Sequence, residues 1–340
     1  MTLGKIKMSV ATAIATVLLV SGASAQDTKG TKASAELKAD YDGSVVGKRI
    51  AYLPIMYGSP LALEWGRVLQ REAEHRGIIY ELRDPNSNVD AQLQALKALI
   101  DSQPDVIVVQ NPSVTLLMRD LKRAEEQGIH VIQVNMASNY RSDAFVGVDW
   151  REIGRMIGED VVKECGAGSG KSGKVAVVQG EITAAGSIDQ MAGINAAFAE
   201  DPSIEIVSNQ AGNWLADTAK NLTDVVIQQH PDLCAHIGFW GLMQSGAAQA
   251  IRNAGKIDDV IVYASGAGSV LDCDQINQGN FDKYLSYTGT VQGHALFNAA
   301  LSLLQGDDEP GEIKRAYYTR PVWLDASNAD AKNCFPLDEN

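Results

Sequence analysis

The chain has 340 residues, is 45% hydrophobic and carries a formal net charge of −13. That length supports two lobes with separate cores, and the apolar content excludes a disordered chain. The acidic balance, with no basic cluster, excludes a nucleic-acid partner.

Lys5 and Lys7 precede an apolar run at 8–20, followed by Ser21-Gly22-Ala23-Ser24-Ala25. This is the pattern of a secretory signal, with cleavage expected after Ala25 and the protein exported. The run is too short for a permanent span, and no later segment reaches spanning length. Residues 26–46 are polar and read as an exposed lead-in.

Residues 49–53 read as a strand, and PIMYGSP (54–60) as the turn into an amphipathic helix at 61–76. A strand at 78–82 and a helix at 90–102 follow. Residues 104–135 then give the repeating unit most plainly. An all-apolar run at 106–109 stops at Gln110-Asn111-Pro112. Leu116, Leu117, Leu121 and Ala124 recur at helical spacing, and a second apolar run ends on Asn135. Strands without alternation are buried on both faces, as in a parallel sheet between helices. A strand at 144–148 and a helix at 150–165 complete the first set.

GAGSGKSG (166–173) interrupts the rhythm. It lacks the first glycine of a phosphate-binding loop and has a helix before it and a strand after it, so it reads as a linker. Strands at 175–178, 204–208, 237–239, 261–264 and 284–286 then alternate with helices at 187–200, 216–229, 244–254, 269–278 and 292–305. A last extended piece covers 316–323. The whole is an α/β protein with right-handed crossovers.

Four cysteines (Cys165, Cys234, Cys273, Cys334) permit two disulfides in three connectivities, with Cys273–Cys334 favoured as a staple late in the chain. The five histidines are scattered without metal-ligand spacing, and His130 and His236 stand at strand starts, away from the strand ends where ligands bind. No nucleophile has an evident base. The loops after the strands carry Tyr57, Ser59, Asn111, Asn135, Asp149, Trp214, Trp240, Ser265 and Tyr287. Ligands of parallel sheets bind beyond the carboxyl ends of the strands. Neutral hydrogen-bonding groups with flat rings suit a ligand bearing hydroxyls and C–H faces.

These residues resemble the ribose-binding-like periplasmic binding proteins, the sugar-binding components of import transporters, over about 48–324. The anchors are Ser59-Pro60, DVIVVQNP (105–112), GIHVIQVN (128–135), GVDW (147–150), HPDLCAHIGFW (230–240) and Asn253-Ala254-Gly255. The resemblance implies two Rossmann-like lobes with parallel sheets, joined by a three-crossing hinge. One would comprise 47–148 plus 288–311, the other 149–287 plus 312–340. It also implies a monomer that closes on its ligand and docks on a membrane permease with its ATPase, with no cofactor and no catalysis.

Carried over by position, the family's Asn before Pro is Ser59 here, and the aromatics after it become Leu61 and Ala62. The Asp-Arg pair that grips hydroxyls becomes Asn135-Met136. The stacking aromatic is kept as Trp214, while Trp240, Ser265 and Tyr287 replace an Asn, an Asp and a Gln. Gln190 is the nearest polar candidate for a missing Arg. Losing these charged groups implies a small neutral sugar or polyol, since a charged ligand would lack its counter-ion. The other readings are a subunit that presents ligand to a chemoreceptor or sensor kinase, and a secreted enzyme on the same scaffold.

Overall fold

The computed structural model describes residues 32–337, so the expected signal and its cleavage after Ala25 lie outside the described residues. The chain divides into two units, the first ending at Tyr41. Its described part belongs to helix α1 (Lys32–Gly43), which is exposed over 34–41.

The unit from Asp42 onward holds two six-stranded sheets. The first contains β1 (Arg49–Leu53), β2 (Ile79–Leu82), β3 (Val106–Val109), β4 (His130–Val134), β5 (Ala144–Gly147) and β11 (Arg315–Tyr318), in the order β11-β5-β4-β3-β1-β2. All of its pairings are parallel. The second contains β6 (Lys174–Gln179), β7 (Glu205–Ala211), β8 (Ala235–Gly238), β9 (Ile261–Gly266), β10 (Lys283–Ser286) and β12 (Val322–Leu324), in the order β12-β10-β9-β8-β6-β7. Only β12 runs antiparallel.

The apolar strand runs are buried on both faces, as parallel pairing between helices requires. On one face of the first sheet Ile50, Tyr52, Val106, Val108 and Ile132 pack with α2 (Pro60–Glu74) and α10 (Gly289–Gln305). On the other, Ala51, Leu53, Ile107 and Val109 pack with α3 (Val89–Ser102) and α4 (Met118–Glu126). The second sheet repeats this plan. Val175, Val177 and Ile237 meet α5 (Trp150–Cys165) and α6 (Ala185–Phe198). Ala176, Val262 and Ala264 meet α7 (Ala216–Gln229), α8 (Gly241–Asn253) and α9 (Val270–Asn277).

Two corrections to the sequence reading follow. The extended piece at 316–323 is two strands in different sheets, with Arg320-Pro321 between them. The third crossing therefore falls between β11 and β12 rather than at 311/312, because β11 completes the first sheet beside β5. Thr319 ties the crossings together. Its N–H donates to Gly147 O (2.8 Å), and its hydroxyl lies 3.3 Å from Tyr287 O. The cysteines pair as Cys165–Cys234 and Cys273–Cys334, leaving no free thiol. The first bond joins the end of α5 to the start of β8.

Candidate functional site

Helix capping accounts for two of the expected site residues. Ser59 caps α2, its hydroxyl accepting from Ala62 N (3.3 Å) and donating to Met56 O. Asp149 caps α5, accepting from the N–H groups of Arg151 and Glu152 (3.0 and 3.1 Å). With Asp189 it lines an open groove of about 300 Å³ that also holds Tyr140, Arg141 and Tyr318.

Tyr57 turns back on its own lobe. Its ring lies where a Cβ on Gly66 would stand, 2.5 Å from Cε2, and meets Tyr52 edge-on. Leu61 packs near the start of α10, its Cδ1 3.2 Å from where Gly289 would carry a Cβ. Ser265 and Tyr287 are buried and satisfy each other. Their hydroxyls share a hydrogen bond, and each lies 3.2 Å from Phe239 O. The Tyr287 ring also meets Trp150 edge-to-face at 4.9 Å.

Four other residues behave differently. Asn111 Oδ1, Asn135 Oδ1, Ser187 Oγ and both amide atoms of Gln190 are buried with no hydrogen-bond partner. Buried polar groups in folded proteins are nearly always paired, since an unmade bond costs about 1–3 kcal/mol. All four are neutral. Asn111 and Asn135 end β3 and β4 of the first sheet, whereas Ser187 and Gln190 share one face of α6, three residues apart, after β6 of the second.

A chain of contacts joins the strand ends that carry the first pair to the start of the helix that carries the second. Asn111 Nδ2 donates to Met136 O (2.8 Å), and Trp150 Nε1 donates to Asn135 O (2.7 Å). Met136 and Trp150 both press on Gly186. A Cβ there would fall 3.0 Å from Met136 Cε and 3.3 Å from Trp150 Cε2. The backbone also crosses, Val114 N donating to Thr183 O (3.0 Å). Asn135 is held in the left-handed region (φ 59°), and Gly147 permits this, since a Cβ there would sit 2.9 Å from Asn135 Cα.

Trp214 and Trp240 lie at the carboxyl edge of the second sheet, edge-to-face at 6.3 Å. Trp214 also adopts a left-handed backbone (φ 63°), and its ring covers Gly180 so closely that a Cβ would meet it at 2.0 Å. Trp240 lines a second recess of about 330 Å³ with Pro60 from the first lobe.

Among the expected residues, Asn111, Asn135 and Met136 are linked by these contacts, and Gln190 lies on α6, one turn after the Gly186 that Met136 touches. Ser59, Ser265 and Tyr287 have their hydroxyls engaged elsewhere, and Asp149 commits one carboxylate oxygen to its helix cap. Ser187 escaped the sequence reading, although its place three residues before Gln190 on the helix after β6 was a usable signal.

His236 is a fully buried residue of β8 itself. The Thr223 hydroxyl donates to Ala219 O, so His236 Nε2–H donates to that hydroxyl (3.0 Å) while Nδ1 accepts from Gln244 Nε2 (2.9 Å). Burial pushes its pKa down from 6.5 to about 4. It is a neutral core residue.

The model of the periplasmic binding protein domain family matches residues 50–308, most of the chain and all of both sheets but the edge strands β11 and β12 and the first residue of β1. The protein belongs to the periplasmic binding protein family. Within this family it is 26% identical to a D-ribose/D-allose-binding protein of Pseudomonas aeruginosa over 52% of this chain. It is 25% identical to a xylitol-binding protein of Mycolicibacterium smegmatis over 66% of this chain. The matched segments span 56% and 63% of those relatives' lengths. A solute-binding protein of Mycobacterium smegmatis solved with glycerol superposes with a TM-score of 0.74 at 22% identity, covering 84% of this chain and 97% of that one. One from Actinobacillus succinogenes with D-allose gives 0.72 at 22% identity, covering 83% and 99%. This family member shares their fold of two mostly parallel sheets. Among the described residues no helix is long and apolar enough to cross a membrane.

Proposed function

We propose that this periplasmic binding protein captures a small neutral sugar or polyol between its two lobes and delivers it to a membrane permease driven by an ATPase. The observation that carries this reading is the set of five buried, unpartnered and uncharged polar atoms on Asn111, Asn135, Ser187 and Gln190, on elements of both lobes that Met136 and Gly186 bring into contact. Hydroxyls both donate and accept, so a polyol satisfies such a set, whereas a carboxylate or phosphate would be buried without a counter-charge. A ligand touching both lobes stabilises the closed arrangement through its differential contacts. The names of the relatives, which include ribose, allose and xylitol binding, agree with this class.

The test is calorimetric titration of the chain lacking residues 1–25 with neutral pentoses, hexoses, polyols, sugar acids and amino acids. Saturable binding of a neutral polyol or sugar is expected, lost or weakened at least tenfold in Ser187→Ala/Gln190→Leu. Binding confined to acids or amino acids refutes the reading.

A further inference from the structure

Gln133 is a polar residue near the end of the buried strand β4, and its neighbours use every hydrogen-bonding direction it has. Its Oε1 accepts from Ser138 N (2.6 Å) and from Asn111 Nδ2 (2.8 Å). Its Nε2 donates to Tyr140 O (2.8 Å) and to Ser142 Oγ (2.9 Å). The Ser142 hydroxyl sends its own hydrogen to Ala144 O. Ser138 N–H is always a donor and Tyr140 C=O always an acceptor, so the Gln133 amide has one orientation.

That orientation fixes the next amide. Asn111 Nδ2 gives its two hydrogens to Gln133 Oε1 and Met136 O, both at 2.8 Å. A flipped Asn111 would set its oxygen against those two acceptors and leave them unpaired. Its Oδ1 therefore faces away from them, buried and unpartnered.

We infer that Gln133 is a positioning residue that locks Asn111 as an obligate acceptor, so that the ligand must present a hydroxyl hydrogen at that point. This rests on the binding function proposed above and narrows it. A keto, ether or carboxylate oxygen directed at Asn111 Oδ1 meets acceptor with acceptor. A hydroxyl replaced there by hydrogen leaves the buried oxygen unpaired. Asn111 discriminates by the donor it demands, and Gln133 sets that demand without touching the ligand.

The experiment has two readouts on the same proteins. In the ligand-free protein, labelled with ¹⁵N and ¹³C, the Asn111 side-chain NH₂ is followed by hydrogen exchange and by coupling across its bond to the Met136 carbonyl. Exchange at least tenfold slower than for exposed asparagines is expected, with the coupling visible. Gln133→Leu should speed that exchange at least tenfold while the backbone amides of β3 stay protected, which a general loosening of the fold would not do. Fast exchange in the unaltered protein, or no change in Gln133→Leu, overturns the inference whatever binds.

The second readout is affinity for D-allose and xylitol beside their monodeoxy and mono-O-methyl analogues. At least one position should lose tenfold or more on either change in the unaltered protein, and that discrimination should shrink in Gln133→Leu. Equal tolerance at every position overturns the inference while leaving the binding function standing. Failure of every neutral sugar and polyol, with the NH₂ signature intact, overturns the binding function instead and leaves the Asn111 orientation demonstrated.

Discussion

Acidification should destabilise the second lobe through a single histidine. His236 is fully buried and neutral, with a pKa near 4 against 6.5 when exposed. Below pH 6.5 the unfolded chain binds a proton that the folded chain refuses, so folding stability falls as pH falls. The loss accumulates between about 6.5 and 4 and levels off below. At about 1.4 kcal/mol for each pH unit between 6.5 and 4, the full loss is about 3–4 kcal/mol, of which about 3 kcal/mol is reached by pH 4. Urea unfolding followed by circular dichroism from pH 7 to 4 measures the total slope. His236→Gln, which cannot titrate, removes this group's share, so the two curves should converge by about 3 kcal/mol on acidification. The ring signals of His236 should stay in the neutral position until the pH nears 4. A midpoint near 6.5 in the folded protein, or parallel pH slopes for the two proteins, would refute the assignment of a desolvated imidazole.

Gly154→Ala should lower stability by about 1–3 kcal/mol, because a Cβ there would stand 2.0 Å from Gln190 O and force α5 and α6 apart. Ligand affinity should drop with it, since Gln190 moves; a melting temperature equal to the parent's would remove that contact as a constraint. Mass spectrometry without reductant should find no free thiol. Loss of both bonds should cost about 4 kcal/mol for each, given that they close chain separations of 69 and 61 residues. Chemical denaturation with and without reductant measures this. Trp214→Ala should weaken ligand binding by about 1 kcal/mol or more, and unchanged affinity by titration would place Trp214 outside the site.

The alternation of strand and helix was readable because it is written in local periodicity. Parallel strands buried on both faces appear as unbroken apolar runs, and the helices beside them repeat at three and four residues. The helices at 150–165 and 216–229 consequently begin and end where the sequence puts them. The two capping positions are also legible, since Ser59 before Pro60 and Asp149 before a helical run are local signals. Pro321 marked the break between β11 and β12, yet sheet membership depends on which edge strand lies beside each piece, and no local pattern encodes that.

By itself, then, the sequence determined an α/β chain of two parallel sheets and a row of neutral polar residues at the strand ends. Tertiary structure alone decided which of those groups stay free. Ser265 is consumed by Tyr287, 22 residues on, and Asn111 Nδ2 by Gln133 and Met136. Cys165 finds Cys234 because α5 packs beside β6 and β8. These pairings join residues distant in the chain. A polar side chain at a strand end has many partners in prospect, and only the assembled neighbours settle whether it bonds within the protein or is left to bond a ligand.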